Sequence, residues 1–202
     1  LALLDGLEQL PMKTVNYRGI ELKEFDLDAA LKRHPQILLV DELAHSNAAG
    51  CRHAKRYQDV EELLHAGIDV YTTVNVQHLE SLNDMVESIT HIVVSERIPD
   101  SVFDSADQVE LVDIEPDDLI RRLQEGKIYK KKQASRALDH FFVKSNLIAL
   151  REIALRRTAD RLSRKVQKVG NEKTFKAGEH ILVCLSGAPS NKKVIRTAAR
   201  MA

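Results

Sequence analysis

Tryptophan is absent from this 202-residue chain, and aromatic residues make up only 4% of it. That scarcity removes the stacking platforms on which single-stranded nucleic acid usually sits. Neither sign of charge dominates: Lys and Arg number 30, Asp and Glu 30, for a formal net charge of 0. No bulk field therefore draws the chain to nucleic acid. Long hydrophobic runs are missing too. The longest, residues 37–40 and 181–185, fall far short of the roughly 18–20 apolar residues a membrane-spanning helix needs. Cysteine is limited to Cys51 and Cys184, with no C-x-x-C pair; this excludes a disulfide framework and reads as free thiols in a reducing compartment. The last absence is a phosphate-binding loop. No stretch reads G-x-x-x-x-G-K-[ST], and the one Gly-Lys pair, Gly126-Lys127, has Arg121 where the first glycine would stand.

What is present is an α/β pattern. Ile37-Leu38-Leu39-Val40 runs directly into Asp41-Glu42, as expected of a parallel strand buried on both faces and ending at the carboxyl edge where open sheets bind ligands. In a P-loop NTPase this is the Walker B position: Asp41 would hold magnesium through water and Glu42, a weak catalytic candidate, would orient the attacking water. The plainer alternative is a charged strand end that caps a neighbouring helix. A hairpin is expected over residues 15–22, turning at Arg18-Gly19, then a short helix over 27–33 capped by Asp26 and ended by His34-Pro35. Further expected elements are helices over 59–65 and 77–88, with strands over 69–75, 92–94 and 109–114. This alternation gives a mostly parallel sheet with flanking helices. At the tip of the 69–75 strand, Asn75 and Gln77 offer amides suited to sensing a γ-phosphate, or Asn75 simply caps a helix.

From Pro116 the pattern turns helical, with Leu119, Ile120 and Leu123 on one face, then a helix over 134–142 and a long one over 146–169. The long helix carries Arg151, Arg156, Arg157, Arg161, Arg164, Lys165 and Lys168 against Glu152 and Asp160. Such a helix is a solvated rod, or it faces anionic lipid or an acidic partner. On either reading, reversing Arg157, Arg161 and Arg164 to Glu would leave folding nearly unchanged. Residues 170–178, polar and bounded by Gly170 and Gly178, read as a linker. A strand over 180–185 and a helix over 191–201 follow, too little to bury a core. The expected division is 1–169, a linker at 170–178, and the start of a second α/β domain at 179–202. Because the chain opens on Leu1 rather than Met, it reads as a piece of something longer.

Other clusters are less specific. His45, Cys51 and His53 lie close together but match no usual zinc spacing and lack a fourth ligand. His53, Lys55 and Arg56 form a cationic loop near the Asp41-Glu42 edge, able to face phosphate or a carboxylate, or simply solvated. Ser186 and Ser190, in the turn between the last strand and helix, could hold phosphate at a helix start.

Several phrases together carry a resemblance: Leu39-Val-Asp-Glu-Leu-Ala-His45, Gly67-Ile-Asp-Val-Tyr-Thr-Thr73, Asn75-Val-Gln-His-Leu-Glu-Ser-Leu-Asn83 and Asn146-Leu-Ile-Ala-Leu-Arg-Glu152. With Arg52-His53 and Lys55-Arg56, they resemble the amino-terminal cytoplasmic region of KdpD-type osmosensitive, potassium-responsive sensor histidine kinases. Residues 179–202 resemble the opening of the universal-stress-protein-like domain that follows in that family. Cys51 and Ala54 depart from the Ser and Pro that relatives often carry. The resemblance implies a P-loop-NTPase-like core with a helical extension and a Walker A-like loop upstream of Leu1. It also implies ATP and Mg as cofactors of the intact parent, with none held tightly by this piece. The parent would be a bacterial inner-membrane phosphorelay kinase that acts through a response regulator of the KdpE type and controls a potassium-uptake ATPase. This chain would be its cytoplasmic regulatory portion, without kinase core, membrane contact of its own or nucleic-acid partner. The alternatives are a truncated stand-alone P-loop NTPase, or a universal-stress-type nucleotide or cyclic-dinucleotide receptor.

Overall fold

The computed structural model describes residues 4–17, 19–126, 141–169, 183 and 191–201. The chain is α/β with two small sheets, and it divides into two compact units, Leu1–Val74 and Asn75–Ala202.

In the first unit, β1 (Lys13–Tyr17) and β2 (Ile20–Glu24) form the expected antiparallel hairpin, with Val15 opposite Leu22. Gly19 takes φ +80° there, a conformation that favours glycine. Helix α1 (Leu27–Arg33) begins where Asp26 accepts the Ala29 amide at 3.0 Å, and stops where His34 turns left-handed. The His34 Nε2 donates to the Ala66 carbonyl at 3.0 Å, tying this end to the next helix. Strand β3 (Ile37–Val40) pairs in parallel with β4 (Asp69–Thr72), Val40 lying beside Thr72. Between them α2 (Arg56–His65) packs on β4 and α1 packs on α2. Gly67 at φ +82° supplies the left-handed residue after α2. The core is Leu27, Ala30, Val40, Val60, Leu63 and Ile68.

Expectation and structure part at β3. Its run is uninterrupted, yet Ile37 and Leu39 are exposed, as is Tyr71 on β4, while Val40 is buried. Helices cover one face of this two-stranded sheet and leave the other open.

In the second unit the expected helix over 77–88 is broken. Two 3₁₀ turns, Val76–His78 and Glu80–Leu82, precede α3 (Asn83–Thr90). The cause is a bridge between Leu79 and Ile98: Ile98 donates to the His78 carbonyl at 2.8 Å and accepts from the Glu80 amide at 3.1 Å. A continuous helix would consume those same groups. The expected strands over 92–94 and 109–114 do not form, since no ladder partner lies beside them among the described residues. Val94 instead spends its carbonyl on Asn83 Nδ2 at 3.1 Å and Arg97 Nε at 2.9 Å. Val112 is 92% exposed; β-branched residues favour strands only where a neighbour exists to pack against.

Helices α4 (Asp100–Ser105), α5 (Pro116–Gln124), α6 (Lys144–Val169) and α7 (Asn191–Met201) complete this unit. Pro116 opens α5 and Leu123 is fully buried. Helix α6 packs on α3 and α5. Its basic residues correct the expectation of a free stripe, because Arg157 and Arg161 are buried. Arg157 Nη2 donates to Asp104 at 2.7 Å and to Asp100 at 3.4 Å, with its guanidinium 4.6 Å from the Phe103 ring centre. Arg161 donates from Nε to the Phe103 carbonyl at 3.2 Å and from Nη2 to the Ala106 carbonyl, satisfying carbonyls at the end of α4. Arg164 lies 3.6 Å from Asp104, Arg151 pairs with Asp113 and Glu115, and Arg156 pairs with Glu152. Helix α7 lies against the 80–82 turn, where Arg196 grips Asp84 with bonds of 2.9 and 2.7 Å. The expected helix over 134–142 lies almost wholly, and the linker over 170–178 wholly, outside the described residues, as does the strand over 180–185 apart from position 183.

Candidate functional site: an acidic strand edge

Strand β3 leads directly into Asp41 and Glu42, both exposed just past its carboxyl end. The turn beyond them is tightly specified. Asp41 Oδ1 accepts the Glu42 amide at 2.9 Å and the Thr73 hydroxyl, and the Glu42 amide also reaches Thr73 Oγ1 at 3.2 Å. Leu43 donates to the Thr73 carbonyl at 2.9 Å, and His45 closes the turn on the Glu42 carbonyl at 3.0 Å. Glu42 sits at φ +56°, a left-handed conformation that costs an L-residue other than Gly roughly 1–2 kcal/mol. The surrounding bonds hold it there.

Behind the edge lies a buried ion pair that sequence reasoning missed. Glu24, the last residue of β2, is 5% exposed; it accepts the Ala48 amide at 2.9 Å and His45 Nε2 at 3.0 Å, and faces Arg56 at 3.5 Å. A terminal strand carboxylate in an otherwise exposed hairpin gives no local signal of burial. Thr73, whose hydroxyl engages Asp41, was legible only as a β-branched strand residue.

Each anticipated cation has a protein partner. Arg56 Nη1 donates to the Asp41 carbonyl at 3.1 Å and lies 3.9 Å from the Glu42 carboxylate. His53 Nε2 is 2.7 Å from Glu62, which Arg52 also contacts while reaching Asp28. Lys55 Nζ donates to Ser46 Oγ at 2.6 Å. The loop is fastened by Asn47, whose Nδ2 donates to the His53 carbonyl at 3.1 Å and to Asp59 at 2.6 Å. Burial pushes the Asp59 carboxyl above its ordinary range despite that bond. The hydrogen bond from His53 pulls Glu62 below its own, and burial raises the Cys51 thiol. Asn75 and Gln77 begin the second unit, where the Asn75 carbonyl accepts the His78 amide at 3.0 Å and its side chain makes no capping bond. Ser186 and Ser190 lie outside the described residues.

Two exposed carboxylates beside a hydroxyl are hard oxygen donors, suited to a hydrated magnesium ion held through water. Nothing in the described residues supplies more than that. No group of three or more His, Cys, Asp or Glu converges on a metal position among them. The G-x-x-x-x-G-K-[ST] phosphate cradle is absent from the sequence.

Comparison with known proteins shows the family. Residues 1–162 match the family model described as "KdpD: Osmosensitive K+ channel His kinase sensor domain". The chain is 58% identical over 205 residues to "Sensor protein KdpD" of Escherichia coli (strain K12), covering 100% of this chain and 23% of that protein. It is 56% identical over 206 residues to the protein of the same name from Clostridium acetobutylicum, again 100% of this chain and 23% of the relative. To that of Mycobacterium tuberculosis (strain ATCC 25618 / H37Rv) it is 48% identical over 204 residues, 99% of this chain and 24% of the relative. The chain thus spans about a quarter of the length of these relatives.

Proposed function

The chain belongs to the KdpD sensor-domain family, and from that premise we propose that it is the regulatory input segment of a two-component potassium sensor kinase. In this reading the Asp41-Glu42 edge is the magnesium side of a nucleotide site, and nucleotide modulates output rather than fuelling turnover. The observation that carries it is the carboxylate pair at the carboxyl end of a parallel strand, Glu42 held left-handed and Asp41 anchored by Thr73. Asp41 would hold magnesium through water; when bound, that ion neutralises phosphate charge. The phosphates themselves would be cradled by a loop from outside these residues, since His53 and Arg56 are occupied by Glu62 and Glu24. The core would be P-loop-NTPase-like, and residues 179–202 would open a universal-stress-protein-like domain. The whole protein would sit in a bacterial inner membrane and pass phosphoryl groups to a response regulator controlling a potassium-uptake ATPase. No helix among the described residues is long and apolar enough to cross a membrane.

Titration calorimetry tests the site. The 202-residue chain alone should bind ATP–magnesium negligibly, because two carboxylates repel phosphate and no amides cradle it. In the intact sensor protein, Asp41→Asn should remove the magnesium-dependent part of ATP binding. Micromolar affinity in the isolated chain, or an unchanged magnesium dependence in the variant, refutes the reading.

A further inference from the structure

Arg56 is the first residue of α2 and is 9% exposed. Its guanidinium lies between two elements far apart in sequence. Nη2 faces the buried Glu24 carboxylate of the hairpin at 3.5 Å, while Nη1 donates to the Asp41 carbonyl at 3.1 Å and lies 3.9 Å from Glu42 Oε2. Its own amide donates to the His45 carbonyl at 3.0 Å, so its backbone is pinned as well. One side chain therefore hydrogen-bonds the carbonyl of the Asp41–Glu42 peptide and lies within ion-pair reach of the exposed Glu42 carboxylate that follows it. A cation beside an acidic edge should, by charge alone, repel a metal ion. The forked geometry does something a point charge does not, because one nitrogen hydrogen-bonds the Asp41 carbonyl while the other faces the Glu24 carboxylate, and together they set the plane of the guanidinium.

We propose that Arg56, seated on the buried carboxylate of Glu24, is a positioning residue that holds the Asp41–Glu42 turn left-handed, presents both carboxylates to a hydrated divalent cation, and couples that edge to the β1–β2 hairpin. The cation part rests on the reading of the edge given above; the turn geometry does not. Charge and positioning predict opposite signs, which makes the claim decidable.

The test uses the 202-residue chain with Mn²⁺ as the probe, followed by paramagnetic broadening of the Asp41 and Glu42 amide resonances. The Glu42 ³J(HN–Hα) coupling and Cα shift independently report its left-handed conformation. Arg56→Met and Arg56→Lys should both lose the left-handed signature and both weaken Mn²⁺ about five- to tenfold, the population factor set by releasing a left-handed residue. If Arg56→Met tightens Mn²⁺ while Arg56→Lys leaves it unchanged, Arg56 is only a nearby charge and the proposal is overturned. Retention of the Glu42 signature in both variants overturns it whatever the metal does. Absence of Mn²⁺ broadening at Asp41 and Glu42 in the wild-type chain overturns the cation part. That failure is distinguishable, because the Glu42 signature would still change in Arg56→Met. Should loss of the guanidinium facing Glu24 leave Arg56→Met unfolded, Glu24→Gln/Arg56→Met removes both buried charges together and gives the same two readings.

Discussion

Replacing Arg157 by Met should destabilise the second unit by about 3 kcal/mol. The side chain is 8% exposed and bridges Asp104 at 2.7 Å and Asp100 at 3.4 Å. Removing one partner of a fully buried pair costs roughly 3–5 kcal/mol. Here the two carboxylates are 28% and 33% exposed, so water re-solvates them and about 2 kcal/mol is the fairer figure. Asp100 also keeps its bonds from the Ser81 amide and hydroxyl at 2.9 and 2.7 Å. Loss of the guanidinium over the Phe103 ring, 4.6 Å from its centre, adds about 1 kcal/mol. Arg156→Met is the control: its side chain is 72% exposed and pairs with Glu152 one turn away, which is worth about 0.5 kcal/mol or less. Urea unfolding followed by circular dichroism should place the Arg157→Met midpoint about 1–2 M below wild type, given a slope near 2 kcal/mol per M, with the Arg156→Met curve almost superimposed on that of wild type. Coincident curves for the two variants would refute the argument that this arginine is an anchor. By the same logic, reversing Arg157, Arg161 and Arg164 to Glu sets three new carboxylates against Asp100 and Asp104. It should undock α6 from α4, not merely alter a surface.

Two further outcomes follow from other parts of the chain. Burial raises the Asp59 carboxyl above its unfolded value, so its contribution to stability is fully present below the unfolded pKa and is lost as pH rises through the folded one. Asp59→Asn, which can still accept from Asn47, should flatten that decline as pH rises above the ordinary aspartate range and match or exceed wild type at neutral pH; a variant less stable at pH 7 contradicts it. If residues 170–178 are the linker that their polar, glycine-bounded composition implies, trypsin should cut first at Lys173 or Lys176; resistance there, read by mass spectrometry, would move the proposed boundary.

Local elements were legible wherever one residue type forces a local geometry. Asp26 caps α1, His34-Pro35 ends it, Gly19 turns the hairpin and Gly67 follows α2, as each side chain or its absence dictates. Strands were legible only where a neighbour exists. Ile92-Val93-Val94 and residues 109–114 have the same β-branched character as β4, but a strand is a property of a pair, and pairing is not written in a single run. The same limit explains β3: an apolar run specifies willingness to be buried on two faces, while Ile37 and Leu39 are exposed because helices cover only one.

The charged residues show why a basic loop or face is the hardest feature to read. Arg56, Arg157 and Arg161 look in sequence like Arg52 or Arg156, yet the first three are buried and the others exposed. Helical spacing in α6 pointed to the wrong face: Ile148, Leu155 and Leu162 are exposed, while the buried positions among the described side chains are Leu147, Leu150, Arg157 and Arg161, at intervals of three, seven and four, so both arginines fall on the buried face. A long side chain can lay its methylenes in a core only if its guanidinium finds acceptors there. Those acceptors, Asp100, Asp104 and the carbonyls of Phe103 and Ala106, come from a helix more than 50 residues away. At the acidic edge the corresponding partner is Glu24, which reaches Arg56 across 32 positions. In both places an arginine on an otherwise buried face points to a carboxylate or an orphan carbonyl elsewhere in the chain, and the contact ties together the two elements that carry them.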